Sequence, residues 1–248
     1  MVKALPMNPN RAAWGDQFPG AIILANESAV KQHPDYRAAK TGDAHAAVRL
    51  VRALVSDEAI DTLGRTLGER RPIVASIHAQ EKDGINEIPE ALAVRIAERL
   101  GLKTDASLVQ TNVVNHTGAD GFSRLARQAL FAGDVVEGAA YLIVDDFIGQ
   151  GGTMANFRGH IVTNGGDVIG AVALTGKPYS AKLALSDQQL GELRNKHGGL
   201  EDWWRKRFGF GFEALTQSEA RYLARTADAD TIRDRVAAAG QGEDGSDR

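Results

Sequence analysis

The chain has 248 residues, of which 43% are hydrophobic, and this is enough for one globular domain with a buried core. It contains no cysteine, which excludes disulfides, a thiolate nucleophile and a cysteine-ligated zinc site. The net charge of −3 gives no electrostatic signal for a polynucleotide, and neither a signal peptide nor an apolar run of membrane-spanning length is recognisable. We therefore expect a cytoplasmic protein that binds neither nucleic acid nor a membrane.

The N-terminal part of the chain is predicted to be an extended arm followed by helices. Prolines among polar residues favour an arm over residues 1–20, which could dock through Trp14 and Phe18. Residues 35–67 carry alanines and leucines at helical spacing and are predicted to form two helices. These helices precede the first strand.

From residue 72 onwards, predicted strands and helices alternate. Short apolar runs predict strands, and apolar residues at helical spacing predict the helices between them. The predicted strands are 72–77, 108–114, 141–145 and 167–174, and the predicted helices are 89–100, 123–131 and 153–162. Such alternation predicts a parallel sheet with right-handed crossovers.

The C-terminal part is predicted to add helices to this domain, over residues 184–196 and 218–238. The aromatic and basic segment 203–212 either stacks an acceptor molecule as a hood or packs an appendage onto the core. The sequence thus predicts an arm (1–20), an α/β domain (21–238) with helical or hood elements from about residue 178, and a disordered tail (239–248).

The segment from Tyr141 to Thr153 carries the strongest functional signal. Asp145 and Asp146 follow a buried strand, and the carboxyl ends of strands are where open α/β sheets bind ligands. Because side chains alternate along a strand, the two carboxylates could hold two neighbouring hydroxyls. The glycines that follow allow a close backbone approach, and the helix that begins at Thr153 favours an anion. The segment therefore predicts a phosphate cradle.

Two other phosphate motifs are excluded by their spacing. Five residues separate Gly170 from Gly176, one more than in a Walker A loop, and Pro178 stands where the magnesium-binding hydroxyl belongs. The pair Gly209 and Gly211 lacks the third glycine of a dinucleotide fingerprint. No nicotinamide cofactor is indicated.

Residues 141–153 resemble the signature of the type I phosphoribosyltransferases: an apolar strand, two acids and a small-residue loop that ends in threonine. The resemblance implies that Asp145 and Asp146 hold the ribose 2′ and 3′ hydroxyls of 5-phosphoribosyl-1-pyrophosphate (PRPP). The residues that it implies for the 5′-phosphate are Gly149, Gln150, Gly151, Gly152 and Thr153. It also implies the type I phosphoribosyltransferase fold, a Rossmann-like parallel sheet with flanking helices, here with helical N- and C-terminal additions. A strand, turn and helix of another α/β protein is the alternative.

The resemblance places further parts of the site. The loop after the first predicted strand is expected to bind pyrophosphate through Lys82, although it departs from the glycine-paired loop of the family, and a solvated loop is the alternative. A mobile loop is expected to close over PRPP, with Arg124 and Arg127 reaching the pyrophosphate and His116 moving a proton. A solvent-facing helix and an exposed histidine are the alternatives.

The metal and the acceptor follow less directly. Asp145, Asp146 and PRPP itself could supply a site for Mg²⁺, which commonly takes one or two carboxylates together with substrate oxygens. Lys177 follows a strand where purine-specific members present a lysine to the base, but Gly149 stands where those members have an aspartate. The mobile loop has no lysine, which disfavours orotate. The acceptor therefore stays open.

The leading hypothesis is a magnesium-dependent phosphoribosyltransferase of nucleotide metabolism, which transfers a 5-phosphoribosyl group from PRPP to a nucleobase-like acceptor and releases pyrophosphate, or runs in reverse. A PRPP- or nucleotide-sensing regulatory protein with weak catalysis is the main alternative, and the unusual pyrophosphate loop motivates it. A phosphatase or hydrolase acting on a sugar phosphate is the third. The expected partners are PRPP and a small-molecule acceptor, and the oligomer considered is a homodimer.

Overall fold

The computed structural model describes residues 8–15, 18–81, 84–114 and 120–241. Its strands are β1 (Ile22–Ile23), β2 (Ile73–Ser76), β3 (Gln80–Glu81), β4 (Gly84–Ile85), β5 (Lys103–Asp105), β6 (Val109–Gln110), β7 (Phe131–Ala132), β8 (Ala140–Ile148) and β9 (Asp167–Gly176). Its α-helices are α1 (Glu27–Gln32), α2 (Tyr36–Lys40), α3 (Ala44–Leu54), α4 (Asp57–Leu67), α5 (Ile88–Leu100), α6 (Gly121–Ala126), α7 (Gly152–Thr163), α8 (Asp187–Phe208), α9 (Gln217–Ala224) and α10 (Ala229–Gln241).

A parallel sheet forms the centre of the fold. Within the described residues its strands lie in the order β1-β9-β8-β2-β5, and each adjacent pair is parallel. Helices cover both faces, because the faces of a parallel sheet are apolar and must be buried. The predicted fold class, a Rossmann-like parallel sheet with flanking helices and further helices in the N- and C-terminal parts, is confirmed.

The side chains of β8 alternate between two cores. Leu142 and Val144 pack with α3, α4 and α5 on one face of the sheet. Tyr141 and Ile143 pack on the other face with α7, which contributes Phe157. This period of two assigns one layer of helices to each face and sets the direction of the side chains that follow Val144.

The N-terminal half contains more elements than the sequence predicts. Residues 35–67 form α2, α3 and α4 rather than two helices, because Gly42, at a φ of 109°, turns the chain and the Asp43 side chain caps α3. Neither β1 nor α1 was predicted, since elements of two and six residues are too short to show a period.

The prediction of a central strand over residues 108–114 is wrong. In this region β6 pairs with β7 in an antiparallel ladder apart from the central sheet. The strand that joins the central sheet is β5, at its edge beside β2. Its three residues are lysine, threonine and aspartate and are not buried, so no hydrophobic pattern reveals it.

The N-terminal arm docks against the domain. Trp14 and Phe18 lie 5.0 Å apart between ring centres and pack against the core that contains α7. The Trp14 indole also donates a hydrogen bond to the Leu215 carbonyl at 2.7 Å. The arm therefore joins α7 to the C-terminal segment.

Helices α6, α8, α9 and α10 form a third core beside the sheet. Four aromatic residues of the 203–212 segment are buried in it: Trp204, Phe208, Phe210 and Phe212. The sequence allowed this segment either to stack an acceptor or to pack an appendage onto the core. The burial of these four side chains fits the packing role. Helix α10 extends to Gln241, past residue 239 where the tail was predicted to begin. In the described part of the chain, no helix combines the length and apolar character needed to cross a membrane.

Candidate functional site

The direction of the chain crossings changes between β2 and β8. From β2 the chain passes through α5 to β5 on one side, whereas from β8 it passes through α7 to β9 on the other side. Such a switch point leaves a crevice beyond the carboxyl ends of the two strands, and open α/β sheets bind their ligands there. The end of β8 is therefore where this fold offers a binding site.

The two predicted ribose-binding acids lie at this crevice. The prediction that the strand ends at Asp145 is wrong, because β8 remains paired with β9 as far as Ile148. The ladder between β8 and β2, however, stops at Val144. Asp145 and Asp146 thus lie just past the end of the β2 ladder and line the crevice although their own strand continues.

The two carboxylates are buried and have different neighbours. The Asp146 backbone N–H donates to Asp145 Oδ1 at 2.8 Å. Lys40 of α2 donates from Nζ to Asp146 Oδ2 at 3.2 Å. Burial, followed by the charge of Asp146, raises the pKa of Asp145 well above its usual range. Hydroxyl donors or a cation beside this pair would stabilise its ionised form.

The loop after β8 has the geometry of an anion cradle. Gly151, with a φ of 81°, is the N-cap of α7 and provides no side-chain cap to the first N–H groups of the helix. A Cβ at this position would lie 2.7 Å from Leu183 Cδ2. The backbone angle therefore favours glycine, and any side chain here would also have to displace the end of the Leu183 side chain. An anion is favoured here by the N–H groups and by the helix dipole.

Helix α9 holds the loop from its outer side. Thr216, the N-cap of α9, donates its hydroxyl hydrogen to the Gln150 carbonyl at 2.6 Å. Glu219 completes the capping box by accepting the Thr216 backbone N–H at 2.9 Å. The start of α9 and the glycine loop of residues 149–152 are thus fixed to each other.

Arg11 of the arm fixes the same region from a third direction. Its buried guanidinium donates to the two oxygens of Glu219 at 2.6 and 2.8 Å and to the Gly152 carbonyl at 3.4 Å. Its Nε donates to Asn156 Oδ1 of α7 at 2.5 Å. The sequence analysis missed Arg11 because a lone arginine in an arm belongs to no motif. The Thr-x-x-Glu capping pattern of residues 216–219 was the available signal for its partner.

One cavity of about 1310 Å³ brings most predicted site residues together. Those that line it are Asp145, Asp146, Gly149, Gln150, Gly151, Gly152, Thr153, Arg124, Arg127 and Lys177. Arg124 lies against the loop, since a Cβ on Gly149 would be 2.6 Å from its Nη1. Lys82 and His116 lie outside the described residues, and their roles stay predictions.

The N-terminal helices also contribute charged residues to the cavity, which the sequence analysis missed. Glu27 of α1 accepts hydrogen bonds from the ammonium groups of Lys177 and Lys31, each at 2.6 Å. The bond from Lys177, then that from Lys31, lowers the pKa of Glu27, and the bond to Glu27 raises the pKa of Lys177. Lys177 therefore enters the cavity as part of an ion pair.

The segment predicted to bind pyrophosphate forms a hairpin, with β3 and β4 antiparallel. Gly84 packs tightly against the N-terminal helices, since a Cβ there would lie 2.7 Å from the Thr41 carbonyl oxygen. Ala79 and Asn86, on either side of the hairpin, line the cavity. The hairpin thus borders the crevice on its β2 side.

The acidic pair suits a shared metal rather than a closed metal site. The described residues contain no cluster of three or more metal-ligating side chains. Mg²⁺ commonly takes one or two carboxylates and completes its shell with substrate oxygens and water. Asp145 and Asp146 are two adjacent carboxylates, and Asp146 already attracts the Lys40 cation. The donor set fits Mg²⁺ held together with a phosphorylated ligand.

No family model matches the chain. The chain is similar to protein TraN of Escherichia coli, with 40% identity over 230 residues that cover 92% of this chain and 51% of TraN. It is also similar to an HGPRTase-like protein of Natronomonas pharaonis, with 27% identity over 143 residues that cover 50% of this chain and 75% of that protein. Among solved structures, adenine phosphoribosyltransferase from Thermoanaerobacter pseudethanolicus is similar at 22% identity and a TM-score of 0.35, covering 56% of this chain and 72% of that one. The chain thus spans about half the length of TraN.

Proposed function

We propose that this protein is a phosphoribosyltransferase, which transfers a 5-phosphoribosyl group from PRPP to a nucleobase-like acceptor and releases pyrophosphate, or catalyses the reverse reaction. The observation that carries the proposal is the order of groups along the crevice. Asp145 and Asp146 lie at the switch point, and the glycine loop and the uncapped end of α7 follow at once. The similarity to HGPRTase-like proteins supports the same reaction class.

Each part of PRPP has a proposed partner in the cavity. The N–H groups at the start of α7 bind the 5′-phosphate, which gains from the helix dipole. Asp145 and Asp146 accept hydrogen bonds from the ribose 2′ and 3′ hydroxyls, since ionised carboxylates are pure acceptors. Binding therefore removes part of the cost of holding two buried acids side by side.

The reaction asks the protein mainly for positioning and charge. As the ribose C1–O bond breaks, its electron pair leaves with the pyrophosphate oxygen, and an acceptor nitrogen forms the new bond to C1. Negative charge grows on the leaving group, and Arg124 and Arg127 stabilise it from the cavity wall. Lys82, which lies outside the described residues, is proposed to contribute a further positive charge. His116 takes the proton that the acceptor nitrogen loses.

Mg²⁺ is proposed as the cofactor, bound jointly by Asp145, Asp146 and oxygens of PRPP. When bound, it neutralises charge on the leaving pyrophosphate. Lys40, which donates to Asp146 Oδ2 at 3.2 Å, would share this carboxylate with the metal.

Calorimetry with PRPP, with and without Mg²⁺, tests the proposal, followed by a screen of nucleobases for pyrophosphate release. PRPP at 100 times its Kd should stabilise the fold by about 2.7 kcal/mol, because it binds only the folded state. Mg²⁺-dependent binding with turnover of an acceptor supports the enzyme. The absence of heat and of a melting shift at millimolar PRPP would overturn the proposal.

A PRPP- or nucleotide-sensing regulatory protein is the second candidate. The observation that favours it is the β3–β4 hairpin, which replaces the short glycine-paired loop expected for pyrophosphate. Such a protein would keep the phosphate cradle without stabilising the leaving group. Tight PRPP binding with no pyrophosphate release for any acceptor in the screen would select this function.

A further inference from the structure

One face of α9 lines the cavity beside the phosphate loop. Ser218, Arg221, Tyr222 and Arg225, which follows the helix as its C-cap, all line the cavity. They are spaced three or four residues apart and therefore share a side of the helix. At about 1.5 Å of rise per residue, the backbones of Arg221 and Arg225 lie about 6 Å apart along the axis. The face begins at the loop, because Thr216 is bonded to Gln150.

No carboxylate of the described residues neutralises the charge of the two arginines of this face. Arg221 donates to Ser218 Oγ at 2.8 Å and to the Tyr179 carbonyl at 3.4 Å, and its guanidinium lies 5.1 Å from the centre of the Tyr179 ring. Arg225 is exposed. In the described part of the chain, neither arginine pairs with a carboxylate, and Arg225 forms no hydrogen bond through its side chain.

The lysines of the same cavity behave differently. Lys31 and Lys177 pair with Glu27, and Lys40 pairs with Asp146. The lysines of the cavity thus have carboxylate partners, whereas Arg221 and Arg225 have none among the described residues. A cationic surface that borders a phosphate site in a concave cavity attracts anions.

The α9 face lies on the side of β8 opposite to the pyrophosphate segment. Strand β9 leads to Tyr179 and Ser180, and Ser180 Oγ lies 3.0 Å from Ser218 Oγ of α9. The β3–β4 hairpin follows β2, on the other side of β8. Helix α6, whose Arg124 is proposed to reach the pyrophosphate, packs on α9 through the Phe122 and Tyr222 rings, 5.0 Å apart. PRPP that extends from the loop towards the hairpin and α6 leaves Arg221 and Arg225 of α9 to a second ligand.

We propose that this second ligand is an anion and that Arg221 and Arg225 bind its carboxylate or phosphate group. The inference rests on the proposed function, because it takes PRPP as the ligand of the loop. Guanidinium groups bind both kinds of anion through paired N–H donors. The acceptor class assigned by this face is an anionic heterocycle or a phosphorylated small molecule, whereas a neutral nucleobase would leave both charges unpaired.

To test this inference, inorganic phosphate is titrated into the full chain saturated with PRPP and Mg²⁺, and the heat of binding is measured by calorimetry. The parent protein should bind phosphate beside PRPP. Arg221→Gln and Arg225→Gln should each weaken this binding by about tenfold, the effect of losing one charge-assisted hydrogen bond. Arg52→Gln is the matched control, because Arg52 is exposed on α3 and does not line the cavity. Melting temperatures establish that all three variants fold.

A second arm compares nicotinate with nicotinamide, which share a ring and differ by one charge. If the protein binds nicotinate more tightly than nicotinamide and Arg221→Gln removes this preference, the face binds carboxylates. If the protein binds phosphate but shows no preference for nicotinate, the face binds phosphorylated acceptors. Binding of PRPP with no second anion, or second-anion binding that survives both arginine changes, would overturn this inference alone. Failure of PRPP itself to bind would overturn the proposed function and this inference together.

Discussion

Arg11 and Glu219 form a buried, bidentate ion pair across 208 residues of sequence, with N–O distances of 2.6 and 2.8 Å. The pair does not stand alone. Arg11 also bonds the Gly152 carbonyl, and Glu219 also accepts the Thr216 N–H. The arm, the glycine loop and α9 thus meet at one guanidinium, so the shape of the proposed phosphate cradle depends on a residue that would not contact the ligand.

Arg11→Ala should therefore destabilise the fold by about 3–5 kcal/mol, because it leaves the Glu219 carboxylate buried without its partner. Urea unfolding measures the change. In a double-mutant cycle with Glu219→Ala, the double variant should lose about as much free energy of unfolding as either single variant, and much less than the sum of the two losses. Additive single effects would show that the two side chains do not act as a unit.

Asp145→Asn should raise the melting temperature of the ligand-free protein at neutral pH while weakening PRPP binding. The raised pKa of Asp145 means that its ionised form is costly in the folded state. An amide removes this charge and can still accept the Asp146 N–H. It holds ribose hydroxyls and Mg²⁺ less well than a carboxylate does. Asp146→Asn should also weaken PRPP binding.

The difference in melting temperature between Asp145→Asn and the parent protein should depend on pH in one direction. A carboxyl whose pKa is raised on folding contributes stability below its unfolded-state pKa, near 3.8, and loses that contribution as the pH rises through the folded-state pKa. The melting advantage of Asp145→Asn should thus shrink towards acidic pH. A constant advantage across the titration would assign it to packing instead.

Gly151→Val should abolish PRPP binding. A valine would have to adopt a φ of 81°, which is strained for a β-branched residue, and its Cβ would lie 2.7 Å from Leu183 Cδ2. We expect the loop to change its backbone angle and the Leu183 side chain to be displaced. Gly199→Val is the matched control, because a Cβ there meets no atom within 4 Å. Calorimetry compares the two, and undiminished PRPP affinity in Gly151→Val would mean that the cradle is misplaced.

Ile96→Ala should cost about 2–5 kcal/mol in the free energy of unfolding, because Ile96 of α5 is fully buried beneath the sheet. The affinity of the remaining folded protein for PRPP should be unchanged, since Ile96 does not line the cavity. A stable variant that had lost PRPP affinity would place α5 in the site.

Glu201→Gln should lower the melting temperature at neutral pH. Glu201 lies in α8 and accepts hydrogen bonds from Arg194, Arg205 and the Phe212 N–H, and the bond from Arg194 contributes most to lowering its pKa to about 2. A lowered pKa stabilises the fold above the unfolded-state value of 4.5, and this contribution is lost as the pH falls towards about 2. The difference in melting temperature between Glu201→Gln and the parent protein should therefore become smaller below pH 4.5. A gap that stayed constant would exclude an ionic origin.

The sequence predicted the centre of the fold and of the candidate site, because both depend on local patterns. The run from Tyr141 to Ile143 is apolar enough to identify a buried strand. The acids and glycines that follow it identify the turn into α7. These features lie within a few residues of one another, so a short window of sequence contains them.

The periphery could not be predicted, because it depends on contacts between distant segments. Lys40 reaches Asp146 across 106 residues, and Lys177 reaches Glu27 across 150. Strand β8 extends past Asp145 because it pairs with β9 as far as Ile148. The sequence of β8 alone does not show this pairing. Strand β5 is polar and shows no hydrophobic pattern. It belongs to the sheet because its backbone pairs with β2.

The residues proposed for the ribose and its phosphate all belong to one continuous unit, β8, α7 and β9, within residues 140–176. Much of the rest of the cavity wall comes from α1, α2, α6 and α9, which lie far apart in the chain. Three of these helices also touch the donor side, because Lys40 of α2 pairs with Asp146, Arg124 of α6 lies against Gly149 and Thr216 of α9 bonds to Gln150. A substitution in an outlying helix can therefore be transmitted to the segment proposed to hold the sugar phosphate, so the two sides of the cavity are mechanically coupled.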